Sequence, residues 1–475
     1  VTAVDAPTAR LDRRGRLVVL AICCTSLFIV GLDNTIVNVA LPAMRQDLGA
    51  PLSGLQWIID AYTVVLASLL VLAGSTGDRI GRRRTFRAGL VLFTLGSLLC
   101  SLAPGLGWLV AARAVQAVGG SMLNPVAMSI ITNTFTEPRE RARAIGVWGG
   151  VVGISMALGP VLGGVLVAAV GWQAVFWINL PVGLVAFALC GRYVPESRAP
   201  RARPLDAVGQ VLVVVLLVGL TYGLIEAPAA GWTSAQTLGC FAVSALALVC
   251  LVPHELRRPE PLINPRFFRS APFAGATGIA VCGFAALAGF LFLNTLHLQE
   301  VLGLSALHAG LLTLPMAGLT AVCAPLSGRL VGGVGPRVPL LVAGVGITAS
   351  ALVLTGLSAD TPLWQIITSY VLFGIGFGML NAPITNTAVS GMPRAQAGVA
   401  AAVASTSRQV GQSLGVAVIG AVVTSAARGP LSVGLPQVGW WVVAGCGGVV
   451  LVLGVLTTGR WARGTAERTA ARLGG

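Results

Sequence analysis

The chain has 475 residues, of which 55% are hydrophobic and only 10% charged, with 61 glycines. Water-facing domains carry about a quarter charged residues, so most of this exterior must face lipid, which excludes a soluble multidomain protein. The net charge of +15 is not a nucleic-acid footprint, because the basic residues form small clusters between long apolar runs, without a basic stripe or a base-stacking platform.

A bilayer core of about 30 Å needs about 20 residues of helix. Cutting the chain where Pro/Gly clusters or charges interrupt the apolar runs predicts fourteen membrane helices, near 17–41, 55–76, 85–103, 108–133, 144–169, 173–191, 207–226, 236–253, 273–298, 307–331, 338–357, 363–388, 396–425 and 438–459. The first follows a basic segment, Arg10 to Arg16, as a leader peptide would, but its apolar run is too long for one and reads as an uncleaved span. Cytoplasmic loops collect basic residues. With the N-terminus inside, 27 of the 31 arginines fall in inner segments, Arg45 and Arg428 alone fall in outer loops, and Arg113 and Arg408 fall within helices. Both termini are therefore expected in the cytoplasm. Trp57, Trp108, Trp172, Trp232, Trp364 and Trp440 mark outer helix ends, where amphipathic rings anchor. The use of Arg to the exclusion of Lys fits a GC-rich coding bias and points to a bacterial cytoplasmic membrane. All nine cysteines lie in apolar runs, with no CxxC and no Cys/His grouping, and read as small core hydrophobes.

The chain also repeats itself. Gly77-Asp78-Arg79-Ile80-Gly81-Arg82-Arg83-Arg84, after helix 2, returns loosely as Gly328 to Arg337 after helix 10. Met122-Leu123-Asn124-Pro125 in helix 4 returns as Met379-Leu380-Asn381-Ala382-Pro383 in helix 12. Helices 1–6 thus correspond to helices 9–14, which predicts two parallel six-helix bundles around a central cavity with helices 7 and 8 as an inserted pair. The expected units are 1–203, 204–264 and 265–475.

Four segments resemble the fourteen-helix drug:proton antiporters of the major facilitator superfamily, and the resemblance covers essentially the whole chain. They are Leu32-Asp33-Asn34-Thr35-Ile36-Val37-Asn38 with Pro42 in helix 1, the Gly77–Arg84 loop, Arg113-Ala114-Val115-Gln116 with Gly119 and Gly120 in helix 4, and Gly159-Pro160-Val161-Leu162-Gly163-Gly164 in helix 5. The resemblance implies an all-α polytopic fold of fourteen transmembrane helices, no enzymatic activity, no cofactor, and export driven by protons. The helix 5 motif is associated with exporters. Arg408 with Gln409 and Gln412 resembles the polar helix 13 segment of the same branch, with Gln412 where a second glycine is usual.

Ionisable groups inside hydrocarbon are costly and so are functional candidates. At about 1.5 Å per residue, Asp33 lies about 12 Å below the outer surface, and Asp60 and Arg113 about 8 Å below it. If helices 1, 2 and 4 share the cavity wall, one carboxylate pairs with Arg113 and the other stays free to take a proton. Asp33 is expected to be the main proton site, Arg113 its tuner and Asp60 an auxiliary. Asp78, placed at the start of helix 3, is expected to latch onto Arg79, Arg82 or their neighbours around Gly81. Gly159, Gly163 and Gly164 allow close approach of helix 5, and Pro160 permits a bend. Asn34, Asn38, Gln116, Asn124, His297, Asn381 and Arg408 are candidates for lining a substrate cavity. No carboxylate of the second half matches Arg408 in depth, since Glu300 and Asp360 fall in outer loops, so its expected partners are helix carbonyls or, across the cavity, a first-half carboxylate.

No loop is long enough to house an ATPase, no metal cluster is visible, and energy must come from an ion gradient. The substrate is expected to be an amphipathic small molecule. Two cavity carboxylates would favour a lipophilic cation, while sharing with Arg113 would admit neutral compounds. A carrier for a narrow endogenous metabolite, by export or proton symport, is the alternative; a polytopic enzyme would need clustered histidines, and the three here are scattered.

Overall fold

The computed structural model describes residues 12–199, 204–357, 361–390, 392, 397–427 and 435–474, and the described residues contain helices and no strands. Arg10, Arg201, Arg203, Asp360, Arg394 and Arg428 lie outside them.

Helices occupy every predicted span. They are α1 (Arg13–Leu48), α2 (Leu52–Ile80), α3 (Arg82–Ser101), α4 (Leu106–Thr134), α5 (Pro138–Ala169), α6 (Ala174–Tyr193), α7 (Ala207–Ala230), α8 (Ala235–Arg257), α9 (Ala271–Val301), α10 (Ala306–Val334), α11 (Arg337–Leu354), α12 (Leu363–Val389), α13 (Ala397–Ala427) and α14 (Leu435–Thr457). Among the described residues, eleven helices are long and apolar enough by themselves to cross a membrane. Their ends are set by local chemistry. Asp12 caps α1 by accepting from the Gly15 amide at 2.7 Å, and Gly49 ends it in the left-handed region. Asp206 and Ser234 cap α7 and α8 in the same way.

Several helices are interrupted where hydropathy is continuous. α6 breaks at Ile178, α10 at Thr313 and α12 between Gly378 and Asn381, and α9 ends in a π-helical turn over His297–Val301. A further helix, α15 (Arg460–Gly474), follows the last span. It was not expected, since its sequence reads by hydropathy as an Arg-rich tail. It packs on the start of α9, where the Ala271 amide donates to Thr465 Oγ1 at 2.9 Å.

α1–α6 pack mainly on one another, as do α9–α14, and α7 lies across the seam between α2 and α13. Gln210 of α7 donates to the Ser68 carbonyl of α2, while Thr221 meets Ser413 of α13 at 3.3 Å.

The faces differ in how the bundles meet. Toward the arginine-poor face, residues of α1, α2, α4 and α6 share one apolar cluster with Phe292 of α9 and Val416 of α13. Arg45 pairs with Glu300 at 2.7 Å, Gln299 donates to the Val39 carbonyl, and Gln56 donates to the carbonyls of Val416 and Ala417. Toward the arginine-rich face the apolar clusters are separate, one within each bundle. The molecule is thus closed on the arginine-poor face.

Trp108, Trp232 and Trp364 are exposed, as interfacial anchors should be, but Trp172 and Trp440 are buried. Trp440 is a core residue of the second bundle, edge-on to Phe290, so its place near a helix end misled the sequence reading.

Candidate functional site

The first candidate site is a buried polar node in α1–α6. Asp33 is fully buried on α1, and its Oδ2 accepts from Arg113 Nη1 of α4 at 2.6 Å. One turn along α4, Gln116 accepts from the same Nη1 at 2.7 Å and donates to Asp33 Oδ1 at 2.9 Å. The spacing of three residues on a helix puts Arg113 and Gln116 on one face, so both reach one carboxylate. Arg113 Nε donates to the Ile58 carbonyl at 3.1 Å, and the guanidinium lies 4.2 Å from the Tyr62 ring centroid. Ser97 of α3 accepts from Gln116 and from Asn179 of α6, which also reaches Asp33 Oδ1 at 3.4 Å.

Five helices, α1, α2, α3, α4 and α6, therefore converge on one charge pair, shut from solvent. A buried pair of this kind holds because its remaining donors and acceptors are satisfied. Ser97, Asn179 and Tyr62 were not read as site residues; Asn179, a polar side chain within an apolar span, was the signal available.

Asp60 stands apart from this node. It is fully buried on α2, takes a hydrogen bond from Thr63 at 3.1 Å, and faces the Ser413 hydroxyl of α13. Its Oδ2 has no hydrogen-bond partner among the described residues. The expected common wall of helices 1, 2 and 4 thus holds for Asp33 and Arg113, while Asp60 belongs to the seam between the bundles. Both carboxylates are buried in this conformation.

The helix 5 motif lies against two partners. Cβ atoms added at Gly159 and Gly163 would collide with Thr35 and Ile36 of α1, and one at Gly164 would stand 2.6 Å from the Ala306 carbonyl oxygen of α10. Pro160 offers its carbonyl side to Gly310 of α10. The glycines let α5 touch α1 and α10 at backbone distance, in the closed half. Beside them a small cleft is lined by Asn38, Pro160, Asn294 and Thr313, among others.

The Asp78 segment corrects the sequence reading. Asp78 lies in the last turn of α2 rather than at the start of α3. A carboxylate there opposes the helix dipole, and Arg82, the first residue of α3, offsets it with two hydrogen bonds to Oδ1, at 3.1 and 2.9 Å. Gly81 between them has φ 129°, a conformation that disfavours side chains, and a Cβ would stand 2.6 Å from Glu196 Oε1. Glu196, which was not singled out, accepts from the Arg83 amide at 3.1 Å and lies 3.7 Å from Arg84. Arg79 is exposed and outside this network.

The cavity candidates scatter. Asn38 is buried and donates to the Asn34 carbonyl, and Asn124 is half-buried with an unpartnered Oδ1. His297 is buried in the π-helical turn, with neither ring nitrogen bonded among the described residues. Asn381 and Arg408 lie together on the other bundle, with Thr385 between them, donating to the Asn381 carbonyl and accepting from Arg408.

A bundle pair closed at one face, with broken helices and a buried ion pair, describes a membrane carrier. The comparisons agree. Residues 23–416 match the Major Facilitator Superfamily. The chain is 38% identical to the tetracenomycin C resistance and export protein of Streptomyces glaucescens, over 88% of this chain and 78% of that protein. It is 36% identical to the multidrug resistance protein Stp of Mycobacterium tuberculosis, over 87% and 76%. Among solved structures, a peptide transporter, POT, in complex with sulfate shares the fold at a TM-score of 0.69 and 16% identity, with 99% of each chain covered. This chain belongs to the Major Facilitator Superfamily. It is a multi-pass membrane transporter, not an enzyme.

Proposed function

We propose that this transporter is a proton-coupled antiporter that exports amphipathic drugs or antibiotics across the bacterial cytoplasmic membrane by alternating access. Relatives named for drug and antibiotic resistance or export support the export reading. Basic loops stay inside, so the arginine-rich face and both termini are cytoplasmic, and this conformation faces inward. Residues 1–203 and 265–475 are the two moving bundles, with 204–264 inserted between them.

The observation that carries the coupling is the Asp33–Arg113 pair at 2.6 Å, fully enclosed within the first bundle. An ionised carboxylate there is held by one cation and two amides. A proton on Asp33 removes the charge that Arg113 neutralises, and the pair loses its attraction. Asp33 therefore takes its proton from outside, in the outward-facing state where the pair is parted, and the joint of α1, α2, α3, α4 and α6 re-forms as that proton leaves. Return to the inward state brings Arg113 back and expels the proton, so the ion-paired Asp33 seen here is the proton-released form. Asp60 is the auxiliary site at the seam. Gly159, Pro160, Gly163 and Gly164 seal the outer path, and Asp78, Gly81 and Arg82 brace the inner end, with Arg79 exposed beside them. One charge moved through 100 mV is worth about 2.3 kcal/mol, enough to drive uphill export.

The test is transport in inside-out vesicles under an imposed pH gradient, with neutral, cationic and acidic fluorescent probes. Gradient-driven accumulation of at least one probe, abolished by Asp33→Asn, is expected. Accumulation that persists with the gradient collapsed would overturn proton coupling.

A further inference from the structure

Arg408 is a charged group deep in the second bundle's membrane span that the first-bundle mechanism leaves unused. It lies on α13, about 17 Å from the arginine-rich end at about 1.5 Å per residue. Nη2 donates to Thr385 Oγ1 at 2.6 Å and Nη1 to Ser405 Oγ at 3.3 Å, both neutral hydroxyls. A guanidinium has five donors, and the remainder, including the buried Nε, meet no acceptor among the described residues.

The carboxylates within or bordering the spans leave Arg408 unpaired: most have partners of their own, and Asp60, whose Oδ2 is unpartnered, forms no ion pair with it. Asp33 holds Arg113, Glu300 holds Arg45, Glu226 accepts from Trp57, and Asp60 faces Thr63 and Ser413. Among the described residues nothing forms an ion pair with Arg408. A cation this deep in a membrane protein calls for an anion, and none of the described residues supplies one in this conformation.

The surroundings fit a ligand. Arg408 lies 6.0 Å from the Phe284 ring centroid, and Phe284 packs edge-on to Phe377, which gives an apolar aromatic wall beside the charge. Gln409 and Gln412 lie on α13 with Arg408, half-buried and each with an unpartnered carbonyl oxygen. Opposite stands the broken middle of α12, with Asn381 and the exposed Thr385. Interrupted helices are where carriers of this kind build substrate sites. The closed contacts lie on the other face, so the site is approached from the arginine-rich side.

We propose that Arg408, with Phe284, Gln409 and Gln412, forms the binding site for an acidic group, a carboxylate or acidic phenol, on an aromatic amphipathic substrate. This rests on the export reading and names its substrate class. The guanidinium takes the anion through its unused donors, Phe284 receives the ring system, and the substrate supplies the missing counter-ion. A lipophilic cation would be repelled here.

The experiment measures equilibrium binding to purified protein in lipid nanodiscs with three probes that share one ring system: an anthraquinone carboxylate, its methyl ester and a quaternary-ammonium derivative. Wild type is expected to bind the carboxylate at least about tenfold more tightly than the ester, and the cation most weakly. Arg408→Gln should erase the preference while ester binding stays within about twofold, and Arg408→Lys should keep part of it. Because Arg408→Gln could misfold, a second measurement uses Thr385→Cys in an otherwise native cavity. An anionic thiosulfonate should modify it faster than a cationic one.

Equal binding of acid and ester by wild type, or faster modification by the cationic reagent, overturns the proposal. So does an acid preference that survives Arg408→Gln, or one that Asp60→Asn must first unmask, which would mean that Arg408 serves an internal pair. Gradient-driven transport of the ester or cation alone would leave the export reading standing while this proposal fails. Acid binding without gradient-driven transport of any probe would mark failure of the export reading instead.

Discussion

The Asp33–Arg113 pair makes the sharpest energetic prediction, because its partners are few and its burial complete. Asp33→Asn leaves the Arg113 guanidinium with the Ile58 carbonyl, Gln116 Oε1 and the Tyr62 ring, but no anion. Stranding a buried charge costs about 3–5 kcal/mol, and the retained contacts place the expected loss at the lower end, about 3 kcal/mol. Arg113→Met strands Asp33 instead, with the Gln116 and Asn179 amides as donors, and its carboxyl can protonate, so about 2 kcal/mol is expected. The double variant strands neither charge and should recover a coupling of about 2–3 kcal/mol, within the range found for directly contacting groups. The assay is unfolding equilibrium in mixed micelles, followed by tryptophan fluorescence, for the four proteins of the cycle. Losses that add to within about 0.5 kcal/mol would refute the claim that the two charges hold one another.

Other consequences follow from the same geometry. Gly164→Val places a side chain against the Ala306–Leu307 backbone and should cost the closed arginine-poor face about 1–3 kcal/mol. A thiol-reactive reagent kept outside cells should label Asn38→Cys faster in that background, and an unchanged rate would dissociate the motif from closure. Glu300→Gln removes an ion pair whose side chains are 41% and 31% exposed, so at most about 1 kcal/mol is lost. Its effect on closure, read by the same labelling, should shrink further in high salt. Asp206 is buried, which would raise its carboxyl, but the Gly209 amide, His254 and Arg258 outweigh burial and hold it below its ordinary value of 3.8. Its folded pKa lies below the unfolded one, so its stabilisation is full above the unfolded value and lost as pH falls through the folded one. Wild type and Asp206→Asn should therefore converge in unfolding midpoint only below about pH 4; convergence at higher pH would contradict this.

The spans could be read from the sequence because apolar length is a property of composition. Backbone hydrogen-bond pattern is not, which is why the break at Ile178, the gap between Gly378 and Asn381 and the π-helical turn at His297–Val301 were invisible within continuous hydropathy. α15 escaped for the opposite reason: it is helical without being apolar, and its buried Ala462, Ala466 and Thr469 mark a packed face. In the site, Asp33 and Arg113 were legible as charges with nowhere to go in hydrocarbon, and Gln116 lay in the same motif. Asp60 carried the same signal, but depth along a helix does not reveal which neighbour a side chain faces, and the structure turns it toward α13. Glu196 gave no signal, being a loop carboxylate whose partner amide is 113 positions away in sequence.

The central claim, that substrate and proton exchange at an Asp33 gated by Arg113, is tested most directly by proton release. Purified protein in weakly buffered detergent solution is mixed, over a series of starting pH values, with a probe shown to be transported in vesicles, and the largest proton release of the series is taken. Wild type is expected to release close to one proton per probe bound, and Asp33→Asn none while still binding the probe. Equal release from both proteins would contradict the account.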